Sequence, residues 1–282
     1  MRLIFVGDAG SGNNDQNIVA QAMVSRIRKE PVKAICMVGD NIYDEGVRSV
    51  DDKQFQTKFE KPYADIHVPC YLCLGNHDYG NAHFSDGRWK YQIEYTKRSK
   101  KWRMPSRYYW KSLGLCDVFF LDTNFEFMDT QEISEQLQAI KKMYAQSKGR
   151  WKILCGHHTW RSIGGHGNAE EDSFETFMQD LLGSCKFHLY VCGHDHCKNH
   201  SIVTLPNRTK VHNVVIGTGG QSYPRDMMYL ENLNIGDTDL QFHSPHLGYM
   251  TLDANHKQIK LTFYGLPKNG SEMKEHSTII VN

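Results

Sequence analysis

The sequence lacks the features that mark several large classes of protein. Its 33 basic and 32 acidic residues leave a formal charge of +1, so no excess of one sign favours binding to nucleic acid or to an anionic membrane. The longest apolar runs have only the length of a β-strand, which excludes a membrane-spanning helix. Neither an internal repeat nor a linker-like segment is present. These absences favour a single globular domain over residues 1–282.

Cysteine is also too scarce for a disulfide framework, with eight residues in a chain of 282. Cys70 and Cys73 have the C-x-x-C spacing, but they fall in a strand-like run, where residues three apart point to opposite faces. We therefore expect buried thiols here rather than a zinc or redox pair. The other cysteines lie mostly in apolar runs and should pack as small hydrophobic residues.

The N-terminus lacks the charged, apolar and small-residue succession of a secretory leader. Two interpretations stay open: the protein is cytosolic and Met1 is its native start, or a leader has been removed. Three N-x-[ST] sequons, at Asn199, Asn207 and Asn269, are weakly compatible with secretion.

Six short apolar runs share one design. Each is rich in Val, Ile, Leu, Phe and Cys without strict polar alternation, which is typical of strands buried on both faces of a layered α/β domain. Each run also ends in polar residues with chemical capability. The runs cover residues 3–8, 34–40, 68–78, 118–124, 151–158 and 187–196.

The segments between and after these runs have other patterns. Apolar residues at three- and four-residue intervals predict helices over 15–29, 131–147 and 172–182, the last with Gly183 as its C-cap. From about residue 202, strand-like runs joined by turns predict a β-rich part that completes a second sheet. Segments 80–106 and 221–246 are polar and irregular, which predicts loops near a site.

The strand ends carry the chemistry. In open α/β sheets, ligands bind at the carboxyl ends of the strands. Here those ends offer carboxylate, amide and imidazole groups, a set too large to explain by packing: Asp8, Asp40, Asn76 with His77, His157, and His194 with His196. These donors suit two hard or borderline cations held close together. Asp40 could bridge them through its two carboxylate oxygens.

Two further signals accompany these residues. Tyr43 follows Asp40 in GDNIY, and a phenolate is a hard donor that strongly favours Fe(III). Glycine also precedes nearly every candidate or its neighbour, which lets the chain turn sharply and bring backbone close to a metal. Those glycines are Gly7, Gly39, Gly75, Gly156 and Gly193.

Five blocks, taken in order, resemble the motifs of the purple acid phosphatases, which belong to the calcineurin-like metallophosphoesterase superfamily. They are GDAG (7–10), GDNIY (39–43), GNHD (75–78), LCGH (154–157) and GHDH (193–196). The tyrosine of GDNIY separates this family from most other members of the superfamily. The chain length is similar to that of the small, mammalian-type (tartrate-resistant) enzymes. Thr159 departs from the family pattern, which often has proline just after the fourth block.

The resemblance implies a fold and a ligand set. The fold is a four-layer αββα sandwich of two mixed β-sheets flanked by helices, with the metal site at strand C-terminal ends. Fe(III) would be bound by Asp8, Asp40, Tyr43 and His196. A second divalent metal (Fe, Zn or Mn) would be bound by Asp40, Asn76, His157 and His194. His77 would contact the phosphate, and His166, with His77, would protonate the leaving oxygen.

The function that the resemblance implies is an acid phosphatase that hydrolyses phosphate monoesters with hydroxide activated by Fe(III). Its substrates would be small phosphorylated compounds or phosphoproteins, and its compartment secreted, lysosomal or vacuolar. Three alternatives stay open: a phosphodiesterase or nucleotide pyrophosphatase on the same scaffold, a non-catalytic scaffold protein, and a redox role of the iron pair. Weaker candidates for the surroundings of the site are His158, His243, His246 and Arg225. The oligomeric state is left open.

Overall fold

The computed structural model describes residues 1–80, 87–224, 228–229, 232, 236–267 and 271–281. The strands are, in chain order, β1 (Arg2–Val6), β2 (Ala34–Val38), β3 (Cys70–Cys73), β4 (Trp102–Arg103), β5 (Tyr109–Ser112), β6 (Cys116–Phe120), β7 (Trp151–Cys155), β8 (Leu189–Cys192), β9 (Lys198–Thr204), β10 (Lys210–Ile216), β11 (Thr238–Ser244), β12 (Leu247–Ala254), β13 (Gln258–Leu266) and β14 (Met273–Val281). The helices are α1 (Asn14–Lys29), α2 (Asn76–Tyr79), α3 (Trp89–Tyr95), α4 (Thr130–Gln146) and α5 (Asp172–Ser184). Gln56–Glu60 forms a π-helical turn and Phe125–Phe127 a 3-10 turn.

The strands form two mixed sheets of seven strands each. The first sheet has the order β14-β13-β12-β1-β2-β3-β4, and the second has the order β11-β9-β10-β8-β7-β6-β5. Strands β1, β2 and β3 are parallel, and so are β6, β7 and β8. Parallel strands end at the same edge of a sheet, so both sheets bring their polar strand ends to one side of the molecule.

Side chains of the second sheet alternate between two cores. On β6, Val118 and Phe120 belong to the core shared with the first sheet, whereas Phe119 and Leu121, the residue just after the strand, join the cluster that includes α5. Both faces are therefore buried, which is why these strands lack polar alternation. Helix α1 covers the first sheet and α5 the second, so the predicted four-layer αββα sandwich is confirmed.

The predicted helices begin and end close to their expected residues. Asn13 caps α1 by accepting a hydrogen bond from the backbone N–H of Gln16 at 2.9 Å. The prediction that Gly183 caps α5 was wrong. The backbone N–H of Cys185 bonds to the carbonyl of Leu181 at 2.8 Å, so the helix continues past the glycine.

The β-rich part is shared between the sheets. Strands β9 and β10 extend the second sheet as expected, and β11, which falls in a predicted loop, joins them at its edge. Strands β12, β13 and β14 return instead to the first sheet, where β12 pairs antiparallel with β1. The two predicted loops were partly wrong, because 80–106 contains α3 and β4, and 221–246 contains β11. β11 is an edge strand with exposed side chains along much of its length, so it lacks a continuous apolar run.

Three smaller expectations concern thiols, sequons and membranes. All eight cysteines are free and buried, as predicted. Asn199 is fully buried in β9, so this sequon is closed to glycosylation in the folded protein, while Asn207 is exposed and Asn269 lies outside the described residues. None of the helices in the described ranges is long and apolar enough to cross a membrane.

A group of histidines lies between the two sheets, away from the strand ends. His200 on β9 is fully buried, and its Nε2 lies 2.9 Å from Nδ1 of His212 on β10. Across the sandwich, the ring of His200 lies 6.2 Å from Phe263 and 5.8 Å from His276. Burial lowers the pKa of His200 to about 3, and the charges of His212 and His276 act in the same direction.

We expect this buried imidazole to make the fold sensitive to acid. Its pKa in the folded protein lies below its unfolded value of about 6.5, so its contribution to stability is complete above that pH and declines as the pH falls. Between pH 7 and pH 5 the free energy of unfolding should fall by about 2 kcal/mol on this account. Urea unfolding of His200→Gln at both values should show a smaller fall. The exposed His256→Gln is the control; an unchanged fall in His200→Gln would refute the assignment.

Candidate metal centre

Three of the predicted ligands leave their strands with an unusual backbone. Asp8, Asp40 and His194 have φ values of 56°, 49° and 69°, in the left-handed region that costs a residue with a side chain of the order of 1–3 kcal/mol. Each comes directly after a Gly that is the first residue beyond its strand. Such conformations persist where the surroundings impose them, and here they turn the three side chains toward one another.

One group of donors forms around Tyr43. Its phenolic oxygen lies 2.9 Å from Oδ1 of Asp8 and 3.1 Å from Nε2 of His196. The same Nε2 lies 3.4 Å from Oδ1 of Asp8. Three donor atoms from three separate parts of the chain therefore form a small triangle.

A second group forms around His157. Its Nε2 lies 3.1 Å from Oδ1 of Asn76, 3.3 Å from Nδ1 of His194 and 3.4 Å from Oδ1 of Asp40. Its Nδ1 is bonded to the carbonyl of Val38 at 2.9 Å, which fixes the ring so that Nε2 points to the other donors.

The two groups are neighbours, with Asp40 between them. Ligand atoms of Asp8, Asp40 and His157 all lie within 4.8 Å of one another. Donors that share a cation at about 2.1 Å and at right angles are spaced by roughly 3 Å, which matches both groups. The carboxylate, amide, imidazole and phenol set therefore fits two adjacent cations.

The pKa values of these groups show that the pocket favours positive charge. Burial alone would lower the pKa of His157, but the Asp40 carboxylate raises it to about 10. Burial alone would raise the pKa of Asp40, but His157, then His77 and His194, hold it well below its usual range. Burial and the carboxylates of Asp40 and Asp8 raise the pKa of Tyr43 well above its ordinary value. A cation would displace the His157 proton and allow Tyr43 to ionise.

Two glycines permit this close approach. A Cβ on Gly39, which has a φ of 89°, would lie 2.4 Å from Nδ1 of His157. A Cβ on Gly75 would lie 2.1 Å from Oδ1 of Asp40. Any side chain at either position would displace a candidate ligand, so the glycines serve the site as well as the turns.

The two predicted catalytic histidines lie beside different groups. The ring of His77 lies 4.4 Å from Tyr43, and its backbone N–H donates to Oδ1 of Asp40 at 3.1 Å. The ring of His166 lies 3.8 Å from that of His194. The structure thus brings all nine predicted residues together.

Sequence reasoning missed several residues that support the site. The buried Asp78 accepts hydrogen bonds from the backbone N–H groups of Asn41 and Gly75 and so joins two of the glycine-containing turns. The hydroxyl of Thr123 accepts from the backbone N–H groups of His157 and His158. Asp78 is the last residue of GNHD, which is a signal the sequence offered; Thr123 had none beyond its position after a strand.

Other residues order the loop that carries His166. Its backbone N–H donates to Oδ1 of the buried Asp195 at 2.9 Å. Thr159 donates its hydroxyl to the carbonyl of Gly167 at 2.7 Å and so closes the loop. Glu170, which was not predicted, lies with Oε1 2.7 Å from Nδ1 of His166. This hydrogen bond raises the pKa of His166.

The weaker candidates have different positions. His158 is close to the site: its ring lies 4.6 Å from that of His194, and burial lowers its pKa well below the ordinary value. His243 is an exposed residue of the edge strand β11. His246 bonds to Glu275 at 2.6 Å instead. Arg225 lies outside the described residues.

Comparison with known proteins fits this geometry. Residues 1–198 match the family described as calcineurin-like phosphoesterase. The chain belongs to that family. It is also 30% identical to rat (Rattus norvegicus) tartrate-resistant acid phosphatase type 5, over 78% of this chain and 72% of the relative. It is 29% identical to purple acid phosphatase 4 of Arabidopsis thaliana, over 94% of this chain and 80% of the relative.

Two solved structures have a fold similar to that of this metallophosphoesterase. GAP50, the anchor in the inner membrane complex of Plasmodium, aligns with a TM-score of 0.77 and 19% identity, over 97% of this chain and 88% of GAP50. Purple acid phosphatase PPD1 of yellow lupin (Lupinus luteus) aligns with a TM-score of 0.76 and 17% identity. This chain is covered completely in the second case but spans 53% of the lupin chain. At these identities the likeness establishes the fold alone.

Proposed function

We propose that this metallophosphoesterase is an acid phosphatase that hydrolyses phosphate monoesters with Fe(III) and a second divalent cation, as a single domain spanning residues 1–282. The observation that carries the proposal is the division of the donor atoms into two adjacent groups, one of which contains the phenol of Tyr43. Among metals that bind oxygen and nitrogen, Fe(III) is the one that a phenolate favours most. Fe, Zn and Mn all suit the imidazole-rich second group.

The proposed ligands follow this division. Fe(III) would be held by Asp8, Asp40, Tyr43 and His196. The second cation would be held by Asp40, Asn76, His157 and His194. When bound, the pair would supply Lewis-acid charge and a nucleophile derived from water.

Side chains beside the ligands would bind the phosphate and donate the proton to the leaving oxygen. His77, at the Tyr43 side, would donate a hydrogen bond to the phosphate as charge develops on its oxygens. His166, at the His194 side, would donate a proton to the departing oxygen. General acid assistance of this kind is typically worth about 10²–10⁴-fold. Since an imidazolium persists only near or below its pKa, the rate on esters with poor leaving groups should rise toward acidic pH.

We expect the metal assignment to be visible as colour. Protein loaded with iron should show a charge-transfer absorption band from Tyr43 to Fe(III), and Tyr43→Phe should abolish it because the phenylalanine ring has no donor oxygen. Wild-type protein should also hydrolyse p-nitrophenyl phosphate fastest at acidic pH. Absorption spectra and pH–rate profiles of both proteins are the measurements.

Tyr223 provides the matched control for this experiment. Its ring lies 4.9 Å from His196, so it is a phenol at the edge of the site that belongs to neither donor group. Tyr223→Phe should keep the band. A colourless wild-type protein with full activity would overturn the iron assignment and leave the hydrolase; a protein inactive on every ester tested would favour a scaffold role.

A substrate panel separates the proposal from a phosphodiesterase. Bis-p-nitrophenyl phosphate and a nucleotide pyrophosphate should be poor substrates beside the monoester. A reversed order of kcat/KM would assign the site to diesters or pyrophosphates instead.

A further inference from the structure

Glu170 lies beside the metal centre and has no role in the function proposed above. It lies in the irregular segment just before α5, and its side chain is about half exposed. Its Oε1 is 2.7 Å from Nδ1 of His166 and 3.5 Å from Nε2 of His194. One carboxylate oxygen therefore faces two histidines that lie at the same side of the centre.

The contact with His166 fixes which ring nitrogen faces the substrate. Nδ1 donates to Glu170, so Nε2 is the nitrogen that stays available to a leaving oxygen. The backbone of His166 is held separately by Asp195, and the loop is closed by Thr159. Backbone and ring thus have independent supports. Glu170 bonds to the ring, which also lies 3.8 Å from the ring of His194.

The contact with His194 is longer but has no competitor. Nε2 of His194 is buried and makes no hydrogen bond within the part of the chain that the structure describes. Its Nδ1 faces His157 at 3.3 Å, so Nε2 points away from the other donors and toward Glu170. A carboxylate behind a ligating imidazole fixes the orientation of the ring.

We propose that Glu170 is a positioning residue, whose carboxylate holds the ring of His166 with Nε2 toward the leaving oxygen and supports the ring of His194 from behind. The inference rests on the proposed function, since it gives His166 a partner in the same reaction. It also explains how a histidine on an irregular loop can hold one orientation. The side-chain hydrogen bond replaces the order that a helix or strand would provide.

Kinetics on two esters test the proposal. A p-nitrophenyl ester has a good leaving group that needs little protonation, whereas glycerol 2-phosphate releases a poor one. We expect Glu170→Ala to lower kcat for glycerol 2-phosphate by at least about 10-fold. Its kcat for p-nitrophenyl phosphate should change by less than about 3-fold, and KM for both esters should stay unchanged. Glu170→Gln can still accept from Nδ1 and should recover most of the loss. Glu171→Gln is the control, an adjacent acidic residue with no contact to either histidine in the described structure.

A double-mutant comparison shows whether Glu170 acts through His166. His166→Ala alone should slow glycerol 2-phosphate more than Glu170→Ala does. In proteins that hold two metal equivalents, adding Glu170→Ala to His166→Ala should then have almost no further effect on kcat, because the ring that Glu170 orients toward the leaving oxygen is gone and its contact with His194 acts on the metal ligand. Multiplying losses, or equal losses on both esters with intact metal content, would overturn the proposal.

A readout independent of turnover is the ring N–H proton itself. In protein loaded with zinc, which is diamagnetic, the proton between Nδ1 of His166 and Glu170 should give a slowly exchanging imidazole resonance in the NMR spectrum. His166→Ala and Glu170→Ala should both remove it, and Glu171→Gln should keep it. If this resonance is present but wild-type protein hydrolyses neither ester, the proposed function fails while the contact stands; if the esters are cleaved but the resonance is absent, the positioning role fails alone.

Metal analysis tests the alternative that His166, Glu170 and His194 bind a metal ion together. His166, Glu170 and His194 offer ligand atoms within 4.8 Å of one another, as a metal site would. Two metal equivalents in the wild type and in Glu170→Gln support a positioning role. A third equivalent that Glu170→Gln loses would make Glu170 a ligand and overturn the proposal.

Discussion

Replacing Asp40 with asparagine should lower kcat/KM for p-nitrophenyl phosphate by at least about 1,000-fold. Asp40 lies between the two donor groups, with Oδ1 3.4 Å from His157 and Oδ2 3.8 Å from His77. An amide has a single oxygen and no negative charge, so it cannot bridge two cations. Metal analysis should show a fall from two equivalents to one or fewer.

Asparagine is the suitable replacement because it can adopt the backbone conformation that this position requires. Asp40 has a φ of 49°, and asparagine tolerates that left-handed conformation better than most residues. Loss of activity should therefore not reflect loss of fold, which a thermal unfolding curve can verify. The exposed Asp51→Asn is the control. Two retained equivalents with normal turnover would remove Asp40 from the bridging position.

Removing the charge of Glu275 should cost about 3–5 kcal/mol of unfolding free energy. Its Oε2 lies 2.7 Å from Nζ of Lys198, and these two side chains are 5% and 0% exposed. Lys198 is on β9 of the second sheet and Glu275 on β14 of the first, so the pair joins the two sheets. Lys198 also donates to the carbonyl oxygens of Leu247 and Tyr264.

The loss of unfolding free energy arises because Lys198 stays buried without its counterion. Burial lowers the pKa of Lys198 to about 8 even though Glu275 acts to raise it. In Glu275→Gln the amine must stay charged without a counterion or give up its proton. Giving it up at pH 7 costs at most about 5 kcal/mol relative to an ordinary lysine, from roughly 1.4 kcal/mol for each pH unit.

Urea unfolding at pH 7 is the measurement, with two comparisons. The Lys141–Asp180 pair has the same 2.7 Å separation but lies at the surface, with side chains that are 25% and 48% exposed, so Asp180→Ala should cost less than about 1 kcal/mol. The double variant Lys198→Met with Glu275→Leu should lie within about 2 kcal/mol of wild type, because neither charge then stays buried alone. A loss below about 1 kcal/mol in Glu275→Gln would show that the pair is dispensable.

Much of the fold and of the candidate ligand set could be predicted from the sequence. The buried strands have continuous apolar runs because helices or a second sheet cover both faces, and five of the six runs reach a glycine that is followed by a donor. That regularity identifies Asp8, Asp40 and His157 without any knowledge of their distances. Parallel strands then require the donors to meet at one edge.

The rest depends on contacts that leave no local pattern. The edge strands β11 and β14 are partly exposed, so their apolar residues do not form a continuous run. Glu170 meets His166 only because Thr159 and Asp195 fold an irregular loop. Lys198 and Glu275 are far apart in the chain, and their pairing follows from the packing of one sheet on the other.

The position of β1 sets the order in which this molecule can assemble during translation. β1 has β2 on one side and β12 (Leu247–Ala254) on the other. While the nascent chain emerges from the ribosome, every proposed ligand is available by residue 196, yet β1 keeps one open edge until residue 247 and beyond follow. The ion-binding pocket can thus form before the sheet beneath it is sealed, so newly made protein should be most prone to edge-to-edge association in that interval.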